Sequence, residues 1–196
     1  ERWMSLWKET LELQHNQEQL LLNIGCTDSL NIAVFVPLYD KILMNYPHLD
    51  LSIQSHHSSE LYGMLSEHNI DIGFVYHQLH YKNIISEKLF EEKLYLVQSE
   101  HPTVEKPIVH TDELDPTKEL FLSWDDNFQI WHDRWLSSVS RPHISADTIT
   151  LLDRLWKNAD TWMIAPESVI HELSRYRKVY VSELKNPAPN RICYKI

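Results

Sequence analysis

Glycine is nearly absent from this chain, with three among 196 residues, where average usage of roughly 7% would supply about 14. Gly25, Gly63 and Gly73 stand far apart, so neither GxGxxG nor GxxxxGK(S/T) can cradle a phosphate. Cysteine is as scarce. Cys26 and Cys193 are too few for a disulfide framework or a cysteine zinc site, and they suggest a reducing compartment. No apolar run nears the roughly 18 residues of a membrane span, and no charged-apolar-small pattern opens the chain. The expected location is therefore cytoplasmic, with no membrane partner. Positive charge is also short. Lys+Arg is 18 against Asp+Glu 28, a net charge of −10, which is a poor match to nucleic-acid phosphates. Nucleophile-elbow, metal and paired-carboxylate motifs are missing as well. No enzyme, catalytic residue, metal or cofactor is expected, and Asp125-Asp126 reads as a loop and cap. The chain opens at Glu1 without Met, as a fragment or processed product would.

What is present is core material: 43% hydrophobic residues, with seven Trp, nine Tyr and five Phe. Residues 1–22 read as a helix with an imperfect apolar stripe through Trp3, Leu6, Trp7 and Leu11. It is either a linker or dimer helix or a helix packed on its own domain. An apolar run then ends in Thr27-Asp28-Ser29, a turn and capping cluster. Residues 30–46 read as a helix bent at Pro37 and ended by Tyr46-Pro47. Residues 50–55 alternate as a strand, His56-His57-Ser58-Ser59 opens another helix, and residues 70–76 form a third strand. This is β-α-β-α-β at the spacing of a parallel sheet. Residues 83–92 read as irregular, followed by a strand at 94–98. A second α/β set has strands at 120–123, 143–145, 161–164 and 179–181, helices at 127–138 and 146–157, and a last strand at 191–196.

The order and identity of these pieces resemble the effector-binding domain of LysR-type transcriptional regulators. The residues that carry the match are Leu22-Asn23-Ile24-Gly25 with Ser29, Pro37-Leu38, Tyr46-Pro47, Ser58-Ser59-Glu60-Leu61, and Ile70-Asp71-Ile72-Gly73. Leu94-Tyr95-Leu96-Val97, His101-Pro102, Asp112-Glu113-Leu114, Leu120-Phe121-Leu122 and Ile164-Ala165-Pro166 continue it. The resemblance implies a periplasmic-binding-protein-like fold, with two α/β subdomains around a small-molecule cleft. It places a partial linker helix at 1–19, subdomain I at 20–98 plus 191–196, and subdomain II at 99–190. The family's winged helix-turn-helix DNA reader is missing here. The resemblance implies an effector-sensing and oligomerisation domain, dimerising through the 30–46 helix of one subunit against subdomain II of the other and forming a tetramer in the full-length protein. It implies promoter DNA bound by the absent reader, and the effector expected in the cleft is carboxylate- or amino-acid-like. The alternative is a solute-binding protein of a transport system. Family members often carry a glycine where this chain has His68-Asn69 and residues 157–160, so Asn69 and Asn158, or a direct neighbour of each, are expected to close their helices with positive φ.

In open α/β sheets, ligands sit beyond the carboxyl ends of the parallel strands. Those ends hold Thr27, Asp28 and Ser29, then His57, Ser58 and Ser59, then Tyr76. Ser123, Trp124 and Thr148 hold the comparable positions in the second half. Helix N-termini there suit a carboxylate. Asp28, if it faces the cleft, points to a ligand that also carries a donor such as an amine. Plainer readings stand beside these. Thr27, Ser29 and Ser58 could be caps only, His56-His57 a solvated loop or a metal pair, and His77-x-x-His80 surface residues. Cys26 and Cys193 could be a redox switch or buried structural thiols.

Overall fold

The computed structural model describes residues 20–99, 108–136, 141–157 and 160–196. The expected linker helix at 1–19, His101-Pro102 and Asn158 lie outside them. The apolar run becomes β1 (Leu20–Cys26). A helical passage follows, made of α1 (Asp28–Leu30), a π-helical segment (Asn31–Phe35) and α2 (Val36–Asn45). The bend expected at Pro37 takes the form of that π segment. Pro37 lacks the N–H that would bond Ala33 and its ring crowds the Ala33 carbonyl, so widening the preceding turn relieves the clash.

β2 (Leu49–Ser55) and β3 (Ile72–Val75) flank β1, both parallel to it. Between them lies α3 (Ser58–Ser66), which closes in a Schellman motif. The His68 N–H bonds Leu65 O at 3.1 Å, the Asn69 N–H bonds Met64 O at 2.9 Å, and His68 carries φ 58°. The left-handed residue is thus the neighbour of Asn69. Gly25 allows a close approach instead: a Cβ there would stand 2.5 Å from Leu61 Cδ2 on α3.

β4 (Glu87–Glu92) falls where irregular chain was expected. It is an edge strand, paired antiparallel to the last strand, β11 (Arg191–Lys195), which in turn pairs with β3. The first sheet therefore runs β2-β1-β3-β11-β4. Ile24, Leu30, Phe35 and Phe74 pack in one core cluster of this sheet, and Leu61, Tyr62, Ile70 and Val75 in another.

β5 (Leu94–Gln98) does not belong to that sheet, contrary to a subdomain I reaching residue 98. It lies between β9 (Trp162–Pro166) and β10 (Tyr180–Leu184) in a second sheet, ordered β6-β10-β5-β9 with β6 at Ile108–Val109. The chain crosses over at Lys93, because Leu94, Leu96 and Val97 are buried in the second core with Phe128, Leu152 and Met163. Two short parallel strands, β7 (Leu120–Phe121) and β8 (Ile144–Ser145), join this half through a bridge from Glu119 to Trp162. Its helices are α4 (Asp126–Trp135), α5 (Ile149–Leu155) and α6 (Glu167–Leu173).

Candidate functional site

Parallel register brings separate segments to one place. Cys26 at the end of β1 stands opposite Ser55 at the end of β2, so the residues after each leave the sheet side by side. α3 starts at Ser58, whose Oγ accepts the Tyr76 N–H at 3.1 Å and pins the end of β3 to the helix start. Ser55 Oγ accepts from Asn31 Nδ2 at 2.7 Å, and Asn31 Oδ1 accepts from the Tyr39 hydroxyl at 2.6 Å. From the second half come Ser123 and Trp124 after β7, and Thr148, whose Oγ1 caps α5 by accepting the Leu151 N–H at 3.4 Å. Between the halves lies a cavity of about 280 Å³.

Every expected site residue except Ser59 lines this cavity. Ser59, one position into α3, is turned out to solvent, since consecutive helix residues point some 100° apart. Thr27 precedes α1 without capping it through its side chain, and its Oγ1 is buried with no partner. Ser29 is buried in the same turn. His57, not Ser58, is the residue before α3, and its backbone N–H donates to Glu60 Oε2 at 3.2 Å. The Trp124 indole N–H is spent inward on Ile164 O at 2.7 Å, so only its ring faces the cavity.

Asp28 lines the cavity and also reaches across it. Its two oxygens face the other half, accepting the Thr150 N–H at 3.2 Å and the Thr150 hydroxyl at 2.9 Å. His77 Nδ1 lies 3.6 Å from Asp126 Oδ2, and no group of three or more ligating side chains among the described residues could hold a metal.

The sequence reading missed the cavity's cation. Arg191, 3% exposed, begins β11 and lies between two rings, 3.3 Å from the Tyr76 centroid and 4.8 Å from the Trp124 centroid. Its Nη2 donates to Trp124 O at 3.2 Å, whereas Nε and Nη1 have no hydrogen-bond partner. Asp125 and Glu92 stand near them at 3.9 Å. Glu92 in turn accepts the Tyr76 hydroxyl at 2.6 Å and the Ser168 N–H at 3.0 Å. Burial raises the Tyr76 hydroxyl well above its usual range, and the Glu92 hydrogen bond adds to this against the lowering effect of Arg191. A lone arginine after a proline-bearing loop carries no sequence signal for this, because its partners sit in distant segments. Ser55, Glu60 and Asp147 also line the cavity.

The cysteines are apart from it. β3 separates β1 from β11, so Cys26 and Cys193 are not ladder partners, and both are free, buried thiols. Burial, first of all, pushes Cys193 up to about 12 and Cys26 higher still.

Comparisons with known proteins agree with this architecture. The family model described as LysR substrate binding domain matches residues 15–194. HTH-type transcriptional regulators CzcR of Bacillus anthracis and Bacillus cereus are 22% identical over 163 residues, 82% of this chain and 54% of theirs. The chain thus spans about half the length of these curated relatives. Those relatives are named as regulators of transcription. The reduced OxyR regulatory domain of Pseudomonas aeruginosa superposes with TM-score 0.72 at 16% identity, covering 90% of this chain and 87% of that one. The regulatory domain of MexT, a transcriptional activator in the same organism, gives 0.74 at 12%, covering 89% and 88%. At those identities the structures speak for the fold. The periplasmic-binding-protein-like architecture, the cleft between its halves and the family match lead to one conclusion: this chain belongs to the LysR substrate-binding domain family.

Proposed function

We propose that this domain senses a small carboxylate-bearing effector in the cleft and passes its occupancy to a DNA reader elsewhere in a longer cytoplasmic regulator. The observation that carries this is the cavity itself, of about 280 Å³ and walled by residues of both halves. It falls just under the roughly 300–1,000 Å³ of typical ligand pockets, which suits a small ligand.

Its polar wall favours an acceptor-rich occupant. The oxygens of Ser55, Ser58 and Thr148 already accept N–H groups, leaving their own protons to donate. Asp28 and Glu60 already accept internal donors. An effector that binds one relative placement of the halves better than another shifts their population by its differential affinity. That shift reaches a partner subunit through α2, where Val36, Leu38, Leu43 and Met44 are exposed. The domain binds and does no chemistry in this reading.

A thermal-shift screen of small carboxylates against neutral isosteres tests it, since a ligand specific to the folded state raises stability by mass action. Carboxylates should raise Tm, and Thr148→Ala should weaken the best hit more than Ser66→Ala on the exposed end of α3. Equal effects of the two substitutions, or stabilisation by neutral isosteres alone, count against the assignment.

A further inference from the structure

We propose that the effector is an amino acid in its zwitterionic form, its carboxylate seated toward Arg191 and its ammonium at Asp147. This rests on the effector-sensing reading and adds to it the second charge of the ligand.

The cavity wall holds polar groups that lack a hydrogen-bond partner. Arg191 is the only Lys or Arg among the described lining residues. Its side chain is almost wholly buried, yet Nε and Nη1 have no hydrogen-bond partner, and its acidic neighbours stand at 3.9 Å, beyond hydrogen-bond reach. A buried donor without a partner is costly, and a guanidinium fork matches a carboxylate. Thr27 Oγ1, buried without a partner on the same wall, is a further group that a ligand satisfies.

The carboxylates sort differently. Asp28 is engaged by Thr150. Glu60 accepts the His57 N–H and lies 3.3 Å from His56 Nδ1. Asp147, by contrast, is exposed on the wall just before the Thr148 cap. Among the described residues it has neither a hydrogen bond nor an ion pair. An occupant with an acid alone leaves Asp147 unanswered, and a dianion meets Asp147, Glu60 and Asp28 together. A ligand with one carboxylate and one ammonium answers both the unpaired N–H groups of Arg191 and the unpaired Asp147 carboxylate.

The test uses the standard L-amino acids, their N-acetyl forms, their amides and the corresponding deaminated acids, by thermal shift and calorimetric titration of the domain. At least one amino acid should bind, with its N-acetyl and amide forms weaker by about tenfold or more. Asp147→Asn, at an exposed position, should cost the amino acid about tenfold while leaving the deaminated acid unchanged. Arg191→Lys should keep part of the affinity that Arg191→Met loses. Deaminated acids binding as tightly as amino acids, or an unchanged titration in Asp147→Asn, overturn the zwitterion and leave carboxylate sensing in place. Absence of binding by any acid or amino acid overturns both.

Discussion

Asp28 and Thr150 bond across the cleft, the carboxylate of one half accepting both the N–H and the hydroxyl of a single residue in the other, at 3.2 and 2.9 Å. The carboxylate sits in the first turn of α1, and Thr150 in the first turn of α5. The pair ties the two halves to each other, and its exposure holds its worth to about 1 kcal/mol. Asp28→Ala should lower Tm by about 2–4 °C and increase the radius of gyration in X-ray scattering. Unchanged scattering in that variant would show that the halves are held by other contacts. Thr150→Val, which keeps the N–H, should fall between the unsubstituted domain and Asp28→Ala.

Glu92 presents a costlier junction. One oxygen takes the Tyr76 hydroxyl from the first half, the other the Ser168 N–H from the second, and its side chain is 5% exposed. Glu92→Ala strands both donors and leaves Arg191 with Asp125 alone, so we expect a loss of about 3–5 kcal/mol in urea unfolding. Glu92→Gln, which still accepts, should lose less. A loss below that of an exposed acid such as Asp40→Ala would mean the junction contributes nothing.

Two glycines should respond to the same substitution with opposite signs. A Cβ at Gly25 meets Leu61 and Ile70 at 2.5 and 2.6 Å, whereas one at Gly63 within α3 meets nothing within 4 Å. Gly25→Ala should cost about 1–3 kcal/mol through overpacking. Gly63→Ala should gain about 0.5–1 kcal/mol through lower backbone entropy in the unfolded chain. Chemical denaturation of the two variants side by side reads both signs.

The thiols make stability fall in alkali. Cys193 rises from an ordinary value of 9.0 to about 12 through burial, and Cys26 rises further. The unfolded chain therefore releases protons that the folded chain keeps. The stabilisation is complete below about pH 9 and is lost as pH climbs toward the folded values. Tm should decline from about pH 9 to about pH 10.5, and more gently in a Cys26→Ala, Cys193→Ala double variant whatever its starting stability. Native protein should also react slowly with thiol reagents, because the thiolate is the nucleophile.

Local pattern located most strands within a residue or two, and the exceptions share a cause. Glu87-Lys88-Leu89-Phe90-Glu91-Glu92 looks irregular because β4 is an edge strand, with much of its surface in water and no apolar alternation imposed on it. Leu94-Tyr95-Leu96-Val97 reads as a strand wherever it lies, but nothing in it says which sheet it joins. The helix stop at His68-Asn69 was legible as a left-handed closure, though the residue that adopts it is His68. In the site, hydroxyl residues at strand ends were legible, because strand-to-helix turns have a recurrent chemistry. The bonding of Asp28 was not, since it depends on a residue 122 positions away.

The sequence alone thus determined the α/β order, the strand ends that present Thr27, Ser58 and Thr148, and a family resemblance that the family match confirms. These follow from periodicity and turn chemistry, which act between near neighbours. Only the tertiary structure decided that the crossover falls at Lys93, that Asp28 closes on Thr150, and that Arg191 lies between Tyr76 and Trp124. Those outcomes depend on sheet pairing and burial, which bring together residues far apart in sequence. Scarce glycine removes the glycine-rich phosphate motifs, and scarce positive charge makes the chain a poor match to nucleic acid; the fold is what places the buried Arg191 on the wall of the cleft.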